Sequence, residues 1–269
     1  MEKRYIFREL ISFTRVETSL FITGIAITGY VMFNEISPTM LFLCLSFLTG
    51  TGASYAYNHL TDKKEDVINN KKLNMFVQRN FLGKNIVVLL FAIGFVFSLS
   101  LPQISFIFYL LTISLAVAYS GLRIKSIFII KNVFTGLIIT FSFLTGAVMS
   151  NTLNFNVIVY LPIIFIFGIT LNILGDIRGL EGDIKSGVKT IPAIFGEHVA
   201  KKVVYAITAL FLSIVIIFEL IMVYPLVPFM ILISFFLKGN NHKGSRISIL
   251  SSFVFFPVFA VLLNLSGGM

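Results

Sequence analysis

The chain has 269 residues, of which 57% are hydrophobic and only 12% charged, and its mean hydropathy is +0.95. Soluble domains carry about 25% charged residues, so a chain this apolar cannot cover itself against water, and lipid has to be its solvent. The net charge of +9 would suit a nucleic-acid partner, but the 21 Lys and Arg sit in short gaps between apolar runs. That is the pattern of membrane topology, and no nucleic acid is expected; the lone Cys44 rules out a disulfide within the chain.

The amino-terminal segment, Met1 to Val16, is rich in charge, and no small-residue cleavage site closes the apolar run after it. The first hydrophobic segment is therefore expected to be a retained span and not a signal peptide. Charge-free stretches follow at Thr18–Asn34, Ile36–Thr61, Asn85–Leu122, Asn132–Gly175, Val203–Phe218, Leu220–Leu237 and Ile247–Met269. A helix needs about 20 residues to cross a hydrocarbon core, so Asn85–Leu122 must fold back, with Pro102-Gln103 as its turn. By the same measure Asn132–Gly175 turns at Ser150-Asn151-Thr152, and Tyr224-Pro225 closes a hairpin over Val203–Leu237. The expected architecture is all-α and polytopic: about nine transmembrane helices forming one membrane-embedded domain over residues 1–269. In that arrangement every Lys and Arg falls on the amino-terminal side of the bilayer, and the opposite loops hold none. The positive-inside rule puts that side, amino terminus included, in the cytoplasm. The cytoplasmic membrane is the expected location.

The chemistry is concentrated in two acidic clusters, each at the cytoplasmic end of an expected span. All four aspartates of the chain lie in them: Asp62 and Asp66 in the first, Asp176 and Asp183 in the second. The first reads Asn58-His-Leu-Thr-Asp62-Lys-Lys-Glu-Asp66, and the second Asn172-Ile-Leu-Gly-Asp176-Ile-Arg-Gly-Leu-Glu181-Gly-Asp183. At helical spacing Asn58, Asp62 and Asp66 share one face, as do Asn172, Asp176 and Asp183, while Arg178 and Glu181 point elsewhere. Carboxylates stacked near a bilayer repel one another, and desolvation favours their neutral form unless a cation is present. Magnesium answers both problems, because it takes carboxylate and water oxygens and bridges them to a substrate's phosphates. The four aspartates are the candidate metal ligands, with Asn58 and Asn172 as neutral oxygen donors. Glu2, Glu9, Glu65 and Glu197 read as ordinary interfacial charges. Lys185 and Lys189 follow the second cluster, and Arg123 and Lys125 follow Tyr119, where fixed cations could stabilise a leaving diphosphate.

At these residues the sequence resembles the UbiA superfamily of intramembrane polyprenyltransferases. The family's first motif, N-D-x-x-D-x-x-x-D, is matched by Asn58, Asp62 and Asp66, with His59 in place of an aspartate. The second motif region is followed closely from Gly175-Asp176 through Glu181-Gly182-Asp183, Gly187 and Lys189-Thr190 to Gly196, with Gly179 replacing one aspartate. Tyr119-Ser-Gly-Leu-Arg123 corresponds to the family's Y-x-x-x-K element, and Thr14-Arg15-Val16-Glu17-Thr18 to the segment entering the first helix. The run Asn69-Asn70-Lys71-Lys72-Leu73-Asn74 departs from the family's N-x-P-x-R-P-L, in a loop expected to contact the acceptor.

The resemblance implies a Mg2+-dependent enzyme moving a polyprenyl group from an allylic polyprenyl diphosphate to a lipophilic acceptor. The acceptor would be an aromatic quinone precursor or a prenylated glycerol phosphate, and pyrophosphate would be released. It implies a lipid-accessible cavity facing the cytoplasm, with Asp62, Asp66, Asp176, Asp183 and Tyr119 at the reaction. Asn58, Asn172, Arg15, Arg123, Lys125, Lys185 and Lys189 would serve the substrate. The competing readings are a transporter and an inactive scaffold of the same fold. A transporter places ionisable groups near the midplane, and only Glu219 comes near a span interior in the sequence.

Overall fold

The computed structural model describes residues 2–68, 70, 72–153, 155–220, 223–224 and 226–241, with 244, 245, 247, 248, 251, 255, 258, 259, 261 and 262 beyond them. For Glu2 and Lys3 it describes the backbone alone. Asn69, Lys71, Pro225 and most of the last apolar stretch, Ile247–Met269, lie outside the described residues.

Every regular element among the described residues is helical. The helices are α1 (Glu2–Phe13), α2 (Val16–Phe33), α3 (Thr39–Thr61), α4 (Lys63–Ile68), α5 (Met75–Gln78) and α6 (Asn80–Ser98). They continue with α7 (Gln103–Gly121), a 3-10 turn at Ile124–Ser126, α8 (Ile130–Ala147), α9 (Phe155–Ser186), α10 (Ile191–Phe195), α11 (Glu197–Ile217) and α12 (Leu226–Lys238). Seven of these, α2, α3, α6, α7, α8, α9 and α11, are long and apolar enough to cross a membrane, and α12 is a shorter apolar helix. The expected turns at Pro102 and at Ser150–Thr152 appear between α6 and α7 and between α8 and α9, and of the third, Tyr224-Pro225, Tyr224 stands in a turn before α12 while Pro225 lies outside the described residues.

The helices outrun the charge-free stretches that predict them. α9 continues through Asp176 and Asp183 to Ser186, and α6 and α11 begin in charged sequence. A helix satisfies its backbone internally in water as in lipid, so its end is set by local chain chemistry and not by the bilayer edge. Gly187 supplies that end for α9: at φ +68° it lets the Val188 N–H reach back to the Asp183 carbonyl at 2.9 Å, a left-handed C-terminal cap. The charged amino-terminal stretch forms a helix of its own, α1, outside the spans. Glu219, the one charge that comes near a span interior in the sequence, is exposed in the turn after α11, with φ +49°.

α2 and α8 pack at the centre, with α3 and α9 flanking them. α6 packs on α3, α7 lies against both α3 and α8, and α11 packs on α9. Small residues set the central contact. A methyl group added at Gly146 would lie 1.8 Å from the Ala26 carbonyl oxygen, and one at Gly29 would lie 2.0 Å from that of Phe143. Backbones that approach this closely exchange side-chain volume for dispersion contact, the usual bargain between helices in lipid. Asn34 locks the same crossing by donating to the carbonyls of Gly146 and Ala147 at 3.1 and 3.3 Å. The outer faces of α6 and α7 keep large apolar groups exposed, among them Phe81, Val88, Val96 and Leu111, as a lipid-facing surface requires.

Candidate active site

One end of the bundle gathers the start of α2, the second half of α3, the second half of α7, the first half of α8 and the Leu171–Gly179 stretch of α9. A cavity of about 710 Å3 opens among them. Its polar wall includes Arg15, Asn58, Tyr119, Asn172, Asp176 and Arg178, and its body is apolar, with Phe21, Ile22, Ile138, Ile139 and Leu171. The structure therefore brings Asn58 of the first motif and Asn172 and Asp176 of the second to one chamber, with Asp62, Asp66 and Asp183 off its wall, and it adds Arg178, which the helical spacing had turned away.

The first motif sits where α3 breaks. Asp62 caps α3, and α4 resumes at once, the Asp66 N–H still reaching the Asp62 carbonyl at 2.9 Å. Asn58 works as a clasp: its Oδ1 accepts from Ser120 Oγ on α7 at 2.6 Å, and its Nδ2 donates to Asp62 Oδ2 at 3.0 Å. Lys125, from the 3-10 turn, donates to Asp62 Oδ1 and, at 2.6 Å, to Glu65 Oε2. Burial works to lower the Lys125 pKa, and the bonds and charges of Asp62 and Glu65 outweigh it and raise it. The expected common face for the first motif divides at the break. Asp66 lines a second cavity of about 190 Å3 with Glu9, Arg15, His59, Lys72 and Asn74, whereas Asn58 lines the large one.

The second motif is held mid-helix on α9. Asp176 Oδ1 accepts from Lys131 Nζ at 2.6 Å, and both side chains are buried, 8% and 7% exposed. One turn away Asn172 Nδ2 donates to Thr135 Oγ1 at 2.8 Å. The remaining oxygens, Asp176 Oδ2 and Asn172 Oδ1, are buried without a hydrogen-bond partner. Asp183 lies farther along α9, its Oδ1 3.9 Å from where a Gly179 side chain would begin, so glycine there leaves the space between cavity and carboxylate open.

Two buried, unpartnered oxygens on one helix face, one carboxylate and one amide, fit a hard cation such as Mg2+. Among the described residues no three His, Cys, Asp or Glu side chains converge on one point. That suits an ion whose other ligands are water and phosphate more than a closed protein cage.

The cations divide. Arg15 stands where the two cavities meet, in a left-handed conformation (φ +45°), with Nε 3.2 Å from His59 Nε2 and its guanidinium 5.8 Å from the Tyr55 ring centre. Non-glycine residues hold such a conformation only where the surroundings impose it, often at working sites. Arg123 is also left-handed, but its exposed side chain turns outward to Glu65 at 3.2 Å. Lys185 and Lys189 are exposed and line neither cavity.

Sequence reasoning missed Lys131, Thr135, Ser120 and Glu65. Lys131 read as one more topology cation and Glu65 as an interfacial charge, whereas Glu65 bridges Lys125 and Arg123. No local spacing marks these residues, because each meets its partner across helices.

The most specific comparison is with the UbiA prenyltransferase family, whose model matches residues 19–263. A digeranylgeranylglyceryl phosphate synthase from Sulfolobus acidocaldarius is 29% identical over 178 residues, which is 64% of either chain, so this chain spans somewhat under two thirds of that relative. Among solved structures, a UbiA homolog from Archaeoglobus fulgidus bound to GPP and Mg2+ superposes with a TM-score of 0.79 at 18% identity, covering 96% of this chain and 98% of that one. The apo structure of a UbiA homolog from Aeropyrum pernix gives 0.77 at 14% identity, over 93% and 98%. By its sequence over nearly its whole length, and by its fold, the chain belongs to the UbiA prenyltransferase family.

Proposed function

We propose that the chain, acting as a single membrane-embedded domain, transfers a polyprenyl group from an allylic polyprenyl diphosphate to a lipophilic acceptor. The observation that carries this reading is the main cavity itself, polar and acidic at one end and apolar along its body. The diphosphate would lie at the polar end and the prenyl chain against Phe21, Ile22, Ile138 and Leu171. The carbon–oxygen bond breaks with its electron pair leaving on the diphosphate. The acceptor supplies the pair for the new bond and gives up a proton.

Asp176 Oδ2 and Asn172 Oδ1, with Asp62, Asp66 and Asp183, would hold Mg2+. When bound, the ion neutralises charge on the departing diphosphate. Arg15, at the residue before α2, lines the same cavity, and Lys125 holds Asp62. Arg123, Lys185 and Lys189 draw anions toward the opening. The apolar body excludes water from the electron-poor allylic carbon, and the Tyr119 ring on the wall can stabilise positive charge there. A phosphorylated prenyl glycerol is the favoured acceptor over an aromatic quinone precursor, since the Sulfolobus relative bears the name of a digeranylgeranylglyceryl phosphate synthase. The distribution of Lys and Arg favours a site open to the cytoplasm in the cytoplasmic membrane.

The test is Mg2+-dependent pyrophosphate release from geranylgeranyl diphosphate by the purified protein against both acceptor classes, with Asp62→Ala alongside. Release that needs Mg2+, an acceptor and Asp62 is the expected result. A folded protein releasing none with either acceptor sinks the reading.

A further inference from the structure

α8 and α9 are joined by two polar rungs. Lys131 and Thr135, one turn apart on α8, meet Asp176 and Asn172, one turn apart on α9. Each rung engages one polar atom of its α9 partner and leaves the other buried and unpartnered. The chemistry of Thr135 fixes which atom that is. A hydroxyl has one proton, and Thr135 Oγ1 donates it to the Lys131 carbonyl at 3.0 Å. Toward Asn172 it can only accept, so the amide must present its NH2 to Thr135 and its oxygen away from it. Lys131 does the same for Asp176 through charge, holding Oδ1 and leaving Oδ2.

The Lys131 ammonium is also a fixed positive charge at the second motif. It lies 2.6 Å from one carboxylate oxygen, in a pair whose side chains are less than a tenth exposed. At such distances in a poorly solvated site, one charge changes the attraction for a divalent ion strongly. We propose that Lys131 is a positioning residue that aims a single Asp176 oxygen, beside that of Asn172, at the ion, and that its charge keeps metal from settling there until a diphosphate brings negative charge of its own. This rests on the metal-dependent reading above. It predicts ordered entry at this motif, with metal and diphosphate arriving together.

The experiment is Mn2+ binding to the full chain in detergent, with and without inorganic pyrophosphate, read as the Mn2+ retained with the protein after rapid gel filtration relative to a protein-free sample, because pyrophosphate itself binds Mn2+. The wild type should bind tightly only with pyrophosphate. Lys131→Met, which keeps the length and removes the charge, should bind Mn2+ about tenfold more tightly than wild type without pyrophosphate, the size of effect a neighbouring charge commonly has on an ionic equilibrium. Adding Asp176→Asn to that variant should abolish the gain. Lys131→Arg should behave as wild type. Lys131→Met leaves a buried carboxylate without its partner, so thermal melting supplies a second readout. Mn2+ should raise the melting temperature of Lys131→Met toward the wild-type value and leave the double variant unmoved. A Lys131→Met protein that binds Mn2+ no tighter, or that stays unfolded in Mn2+ while Lys131→Arg folds, makes Lys131 a structural residue only and overturns the proposal. Absence of Mn2+ binding by the wild type even with pyrophosphate removes the metal-dependent reading as well.

Discussion

The two aspartate motifs each carry an asparagine four residues before an aspartate, and they are built differently in space. The first lies at a break between α3 and α4, and its polar atoms are spoken for: Asn58 is clasped by Ser120 and bonds Asp62, and Asp62 also holds Lys125. Its side chains are partly open, 15% for Lys125 and 17% for Asp62. The second lies inside a continuous helix, is more deeply buried, and ends in two unpartnered oxygens. Helix continuity explains the contrast. A capping position can turn its side chain to meet partners on other elements, whereas a mid-helix residue keeps the direction its turn dictates, and α8 has to come to it.

That contrast can be broken most decisively by removing each carboxylate. Asp176→Ala strands the Lys131 ammonium in a buried site, and breaking a buried pair in this way costs about 3–5 kcal/mol. Asp62→Ala leaves Lys125 still paired with Glu65 and loses the bonds from Asn58 and Lys125, so its stability loss should be about 2 kcal/mol, roughly 1 for each part-exposed bond. Denaturant titration in detergent measures both, and equal losses would erase the distinction.

The central helix crossing provides a control that belongs to neither motif. Gly146→Ala would drive a methyl into the Ala26 carbonyl, and overpacking of this kind costs about 1–3 kcal/mol. The same titration should show that loss, with the Mg2+ concentration for half-maximal pyrophosphate release unchanged in the protein that remains folded.

The two asparagines sharpen the comparison further. Asn172→Ala removes an open oxygen, and the Mg2+ concentration for half-maximal pyrophosphate release should rise about tenfold, as losses around a metal commonly do. Asn58→Ala breaks a clasp and should cost about 1 kcal/mol of stability per lost bond, with a smaller change in Mg2+ requirement. A reversed order would mean that the first motif is the one that holds its ion alone.

The smallest effect belongs to Arg123→Ala. Its ion pair with Glu65 is exposed on the Arg123 side, and such pairs are worth about 0–1 kcal/mol. Glu65→Gln should cost more than Arg123→Ala, because Glu65 also holds Lys125. The same denaturant titration orders the two.

The amino-acid sequence alone establishes the solvent, the helical class and the positions of the folds in the chain. Bilayer thickness sets a length that Asn85–Leu122 and Asn132–Gly175 exceed, so Pro102 and Ser150–Thr152 had to be turns. It also located the chemistry, since four aspartates in an apolar chain can be tolerated only where something compensates them. The outcome for individual residues was decided by tertiary structure. Asn58 and Asn172 have the same spacing to their aspartates, yet one oxygen is occupied and the other is not, because Ser120 of α7 donates to Asn58 whereas Thr135 of α8, its proton given to the Lys131 carbonyl, can only accept from Asn172. Lys131 differs from the other cations only in being carried inward by α8 against α9, and Arg178 faces the cavity for a reason that no single-helix projection contains. Local periodicity fixes the directions of side chains around one helix axis. Which of those directions meets a partner depends on how the helices cross, and α8 comes to α9 where Gly168 lies against Gly136, a methyl added at Gly168 falling 2.9 Å from the Gly136 Cα.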